Sequence, residues 1–151
     1  MKKIVVMALL AMVGAGVVQA EHIWVKSKQY VRYVYNGFGP GEAGFKAKFG
    51  VWPVAAGHTA GAVWTPDGWT TVRWATASWC RNVTGPYGNV DEEWNVGYQS
   101  TFIPNSFSFA VYVVNSAGVW TWDNNNGLNH TVYLNQAFNT VNGAYVGSCE
   151  F

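Results

Sequence analysis

The chain has 151 residues, 11% of them charged and 17% aromatic, with a formal net charge of +1. Beyond residue 20 the basic residues fall singly apart from Lys26 with Lys28 and Lys46 with Lys48, so the chain lacks the basic footprint of a nucleic-acid binder and nucleic acid is excluded as a partner. Two cysteines and three scattered histidines give no metal-ligand spacing, and neither a metal nor a cofactor is expected.

Residues 1–20 read as a secretory signal peptide. Lys2 and Lys3 form a positive start, an apolar run covers 4–18, and Val18-Gln19-Ala20 ends in a small residue before Glu21. The run is short for an anchor and no stop-transfer pattern follows it, so no membrane span is expected in the mature chain. Cleavage after Ala20 would leave residues 21–151 as a single domain of a secreted or periplasmic protein. About 130 residues suffice for a real core.

Beyond residue 20 the apolar positions alternate with polar or small ones, and β-branched and aromatic residues dominate. The predicted strands are 23–26, 30–35, 45–51, 61–65, 71–76, 93–102, 106–114, 120–122, 131–134 and 144–147. Turn clusters at 36–44, 66–68, 85–89, 104–105, 115–118 and 124–129 separate them. Along 106–114, Phe107, Phe109, Val111 and Val113 share one face, and Ser108, Ala110, Tyr112 and Val114 share the other. Many short strands at this spacing predict an all-β fold, an immunoglobulin-like antiparallel β-sandwich, with a small closed barrel as the alternative.

The nine tryptophans are too many for one domain to enclose, so some are expected on a binding face. Trp64 and Trp74 are placed in the core among Val63, Val72 and Ala75. Trp69 follows the turn Pro66-Asp67-Gly68 and is expected to be displayed, with Asp67 capping that turn. Trp120 and Trp122 are two apart and must share a face. The loop Asn124-Asn125-Asn126-Gly127-Leu128-Asn129 follows them. Its amides carry both donors and acceptors for hydroxyls, and Asn and Gly tolerate left-handed backbone. An indole beside primary amides suits a sugar ring; the plainer alternative is a turn next to a buried Trp.

Cys80 and Cys149 are expected to form one disulfide, as is usual in an exported chain; two free thiols are the alternative. Asp91, Glu92 and Glu93 read as a solvated loop end. Adjacent strand positions point apart, so they do not supply the facing carboxyl pair of a glycoside hydrolase. No G-x-S-x-G, H-E-x-x-H or phosphate-loop motif is present. His22, His58 and His130 lie in or beside loops without evident partners.

Two segments together resemble the starch- and glycogen-binding carbohydrate-binding modules of family 21, with families 25 and 53 similar in the same places. The first is Ala62-Val63-Trp64-Thr65-Pro66-Asp67-Gly68-Trp69-Thr70-Thr71. The second is Phe107-Ser108-Phe109-Ala110-Val111-Tyr112 followed by Gly118-Val119-Trp120-Thr121-Trp122-Asp123-Asn124-Asn125-Asn126-Gly127-Leu128-Asn129-His130. The resemblance implies an immunoglobulin-like sandwich without catalytic function that binds α-glucans on exposed aromatics. It puts Trp69 at a stacking position, Trp122 at the aromatic before the loop, and Asn124, Asn125, Asn126 and Asn129 on the loop that bonds sugar hydroxyls. His130 departs from the tyrosine usual there, residues 38–53 have no clear counterpart, and 136–151 with Cys149 look like an addition.

The expected function is therefore a secreted, non-catalytic module for a polysaccharide or oligosaccharide, with Trp69, Trp120, Trp122 and the four asparagines as its site. The alternative is an extracellular structural or protein-interaction subunit that self-associates through exposed aromatics. A small hydrolase ranks well behind both.

Overall fold

The structure, a computed structural model, describes residues 21–35, 38–141 and 149. The segment 1–20, expected to be a signal peptide, and the predicted strand 144–147 lie outside the described residues. In chain order the elements are β1 (His22–Tyr35), β2 (Phe38–Trp52), β3 (Thr59–Thr65), β4 (Arg73–Thr76), β5 (Ser78–Thr84), β6 (Val90–Ser100), β7 (Ser106–Val114), β8 (Trp120–Asp123), β9 (His130–Tyr133), a single 3₁₀ turn (Leu134–Gln136) and β10 (Phe138–Val141).

Two sheets face each other as a β-sandwich. One has the order β10-β1-β2-β6-β5 and is antiparallel except for the β10–β1 pair. The other has the order β4-β3-β7-β8, with β9 also paired to β7. The strand expected at 106–114 has those bounds. The pieces expected at 23–26 and 30–35 merge into one strand. The turn expected at 36–44 is corrected over 38–44, which extends β2 against β1 as far as Tyr35 opposite Phe38, past a shift of register after Tyr33. Ladder pairing along the hairpin overrides the turn chemistry of its glycines and Pro40. Strands β5 and β10 were not expected; both are edge strands, where apolar alternation is weak.

The core fills the space between the inner faces. Phe45, Ala47, Phe49 and Val51 of β2 meet Ala60, Ala62 and Trp64 of β3 and Phe107, Phe109, Val111 and Val113 of β7. Phe45 lies at its centre, 4.9 Å from Phe109 and 5.7 Å from both Trp64 and Phe107, centroid to centroid. Such ring pairs contribute about 0.5–1.5 kcal/mol each beyond the area they bury. Trp64 is in the core as expected; Trp74 is not, and is 56% exposed. The register explains this. Trp74 pairs with Val63, which points outward because its neighbours Ala62 and Trp64 point in. Cys80 and Cys149 form a disulfide with a Cα–Cα distance of 5.5 Å.

The acidic run is the larger correction. Asp91, Glu92 and Glu93 are buried, not solvated. Glu92 Oε2 accepts a hydrogen bond from Trp94 Nε1 at 2.8 Å and lies 3.0 Å from His58 Nδ1, while Oε1 accepts the Ala55 N–H at 2.9 Å. His58 Nε2 in turn lies 3.4 Å from Glu21 Oε1. On the opposite side of β6, Glu93 pairs with Arg81 Nε at 3.1 Å and Lys26 Nζ at 3.7 Å. So His58, expected to be isolated, is held between two carboxylates, and the network fastens the loop after β2 to β6. His58→Ala should lower stability by about 1–3 kcal/mol, because it removes one of the hydrogen-bond partners of a buried carboxylate. Urea unfolding of the two proteins measures this; a loss well under 1 kcal/mol would show that the network has no structural weight.

Candidate functional site

The two halves of β7 have different partners. Its first half pairs with β9, Phe109 opposite His130, and its second half pairs with β8, Val111 opposite Asp123 and Tyr112 opposite Trp122. Strands β8 and β9 thus follow one another along β7, and the asparagine loop bulges out between them at mid-sheet.

Asp123 and His130 close the base of that bulge. Both face inward: His130 stacks on Phe109 at 5.5 Å, and its Nε2 lies 3.1 Å from Asp123 Oδ1. Oδ1 also accepts the Asn125 N–H at 2.9 Å, and Oδ2 accepts the Val25 N–H of β1, in the opposite sheet, at 2.8 Å. Burial alone would push the Asp123 carboxyl up. The hydrogen bonds from His130, Asn125 and Val25, with the attraction of His130, outweigh it and bring the pKa to about 2.

The loop is wound tightly. Asn125, Asn126 and Asn129 all adopt positive φ, as does Gly127. Asn is among the few side chains that tolerate this backbone. Asn124 Oδ1 accepts the Gly127 N–H at 3.0 Å, and Asn125 Nδ2 donates to the Asn129 carbonyl at 3.1 Å. The Asn124 and Asn125 side chains therefore brace the backbone of the loop.

A second turn faces the loop. Thr65 Oγ1 accepts the Trp69 N–H at 2.9 Å and donates to Asp67 Oδ1 at 2.8 Å. Asp67 also accepts the Thr71 N–H and hydroxyl at 2.8 and 2.7 Å, and those two bonds lower its pKa. Asp67 thus caps the turn as expected. The turn holds Trp69 at φ 72°, a costly conformation for a bulky residue.

Trp69, Trp122, Asn124 and Asn129 come together around a shallow groove of about 360 Å³ floored by Val63 and Ala110. Trp120 lies beside it, nearly parallel to Trp122 at 5.7 Å. The two rings are half-exposed, at 50% and 42%. Asn125 and Asn126 are exposed on the loop but are not among the lining residues. Sequence reasoning missed Trp74 and Tyr112, which complete a four-ring cluster with Trp120 and Trp122 at 4.8–6.2 Å. Gly61 makes room for it: a Cβ there would lie 2.5 Å from Tyr112 Oη. The outward alternation of Val63 along β3 was the signal that could have found Trp74.

No protein-family model and no curated protein matches the chain. Among solved structures it is similar to the carbohydrate binding module of the muscle glycogen-targeting subunit of Protein Phosphatase-1, with 18% identity, 74% of each chain covered and a TM-score of 0.46. That likeness is too distant to transfer residues or function.

Asp123 gives the site a pH signature. Its pKa in the fold lies below its ordinary value near 3.8, so the stability it contributes is complete above that value and is lost as pH falls towards about 2. Melting temperature should drop across this window, and Asp123→Asn should flatten the drop. Equal slopes for the two proteins would show that the carboxylate is not held as described.

Proposed function

We propose that the chain is an exported, non-catalytic carbohydrate-binding module that takes α-glucan chains in the groove between Trp69 and Trp122. The supporting observation is the juxtaposition itself. Two indoles, one from the turn after β3 and one from β8, and two asparagine side chains surround one open groove with an apolar floor. An indole face covers the C–H face of a pyranose, while amides pair with its hydroxyls as donor or acceptor. Trp120 extends the apolar surface beyond Trp122, and Asn125 and Asn126 offer further amides at the loop crest. The choice of α-glucan rests on the two sequence segments described above, and export with cleavage after Ala20 belongs to the same proposal. An open groove leaves much of a ligand solvated, so affinity per site should be weak.

A second reading has one observation in its favour. Trp74, Tyr112, Trp120 and Trp122 form a contiguous exposed aromatic cluster, the kind of surface that also packs against protein. This is the interaction-subunit alternative.

Trp122→Ala should weaken starch or maltooligosaccharide binding by about ten- to a hundredfold, the equivalent of about 1–3 kcal/mol for an aromatic anchor. Trp69→Gly and Asn129→Gly remove a ring and an amide while keeping the positive φ each position needs. Trp69→Gly should lose binding without losing melting temperature, and Asn129→Gly should cost about 0.5–1.5 kcal/mol of affinity. Wild-type protein that ignores starch, glycogen and cyclodextrin rejects the α-glucan assignment. Self-association that Trp120→Ala abolishes would favour the second reading.

A further inference from the structure

The outer face of the other sheet carries a separate cavity of about 500 Å³, lined by His22, Ile23, Trp24, Trp52, Pro86, Tyr87 and Asn89. Register brings its walls together. His22 pairs with Trp52 and Trp24 with Gly50 across β1 and β2, and Pro86, Tyr87 and Asn89 come from the turn between β5 and β6. The Trp24 indole lies against Gly50, where a Cβ would sit 2.8 Å from Cε2 and Cζ2. Its Nε1 is out of solvent and has no hydrogen-bond partner among the described residues. Tyr87 stands nearly perpendicular to Trp24, at 79° and 6.5 Å, and is 84% exposed. His22 and Trp52 form a further pair at 5.6 Å. The rings therefore meet the cavity from several directions.

We propose that this cavity is an aromatic cage for a quaternary ammonium group, of the kind carried by choline and betaine. A trimethylammonium group presents methyls with no hydrogen-bond donor and is attracted by the faces of Trp and Tyr rings. Neither Lys nor Arg lines the cavity to repel a cation. The volume falls within the usual range for small-ligand sites. This site is independent of the glucan groove, which lies on the other sheet.

The test is a tryptophan-fluorescence titration of the full chain with choline, beside its neutral tert-butyl analogue, which has the same shape without the charge. Choline should bind saturably and about three- to thirtyfold more tightly than the analogue, the range a cation–π contribution supplies. Tyr87→Ala should remove most of that binding, Tyr87→Phe should keep it, and Trp122→Ala should leave it unchanged. The exposure of Tyr87 makes these changes harmless to the fold, which circular dichroism checks. Equal binding of choline and the analogue would overturn the cage, as would choline binding that Tyr87→Ala does not affect. No choline binding, with maltooligosaccharide affinity falling in Tyr87→Ala, would also overturn it and make the cavity a sugar site.

Discussion

The candidate site depends on one carboxylate. Asp123 collects hydrogen bonds from a strand of the opposite sheet, from the first turn of the asparagine loop and from the histidine that begins the next strand. A carboxylate can accept several bonds at once, and each is stronger for its charge. A neutral side chain of that size could not hold all three. Because Asp123 directly follows Trp122, fixing the carboxylate also fixes where the indole stands and where the loop leaves the sheet. The hydrogen bond with His130 bridges the gap between β8 and β9 on the inner face, where Phe109 supports the imidazole. The candidate site on the outer face is thus anchored by polar chemistry on the inner one.

The aromatic surplus is placed by the same alternation that builds the core. Successive strand residues point to opposite faces, and a chain with nine tryptophans shows several on its outer faces. These rings shelter one another. Trp74, Tyr112, Trp120 and Trp122 pack edge to face or nearly parallel, which covers part of each ring and holds it in place. On the other sheet Trp24 lies down on Gly50. Glycine lets a large ring approach the backbone, and the result is a flat apolar floor instead of a protruding side chain. Ring display is therefore partly pre-organised, which lowers the entropy that binding would cost.

Buried charge is the other expense of the fold. Glu92 and Glu93, adjacent in sequence, point to opposite sides of β6 and meet different partners: His58 with the indole of Trp94, and Arg81 with Lys26. Each carboxylate is compensated where it sits, as a buried charge must be. Asp91 has no such set, and burial raises its pKa despite the attraction of Lys26.

The sequence by itself determined the β class, the bounds of β7, the shared face of Trp120 and Trp122, and the cap at Asp67, and it favoured the sandwich over a closed barrel and a Cys80–Cys149 disulfide over free thiols. All of these follow from local rules: period-two alternation, turn chemistry and the scarcity of cysteine. What it could not supply depended on partners far along the chain. Trp74 was assigned to the core because its neighbours are apolar, yet its face is set by pairing with Val63. The acids at 91–93 read as solvated because His58 is 34 residues from Glu92, and only the fold brings them together. The edge strands β5 and β10 owe their form to the ladders beside them. Likewise no local pattern links Trp69 to Trp122, or Trp24 to Tyr87. Those encounters were decided by the tertiary structure, because strand register, and not sequence distance, determines which side chains meet.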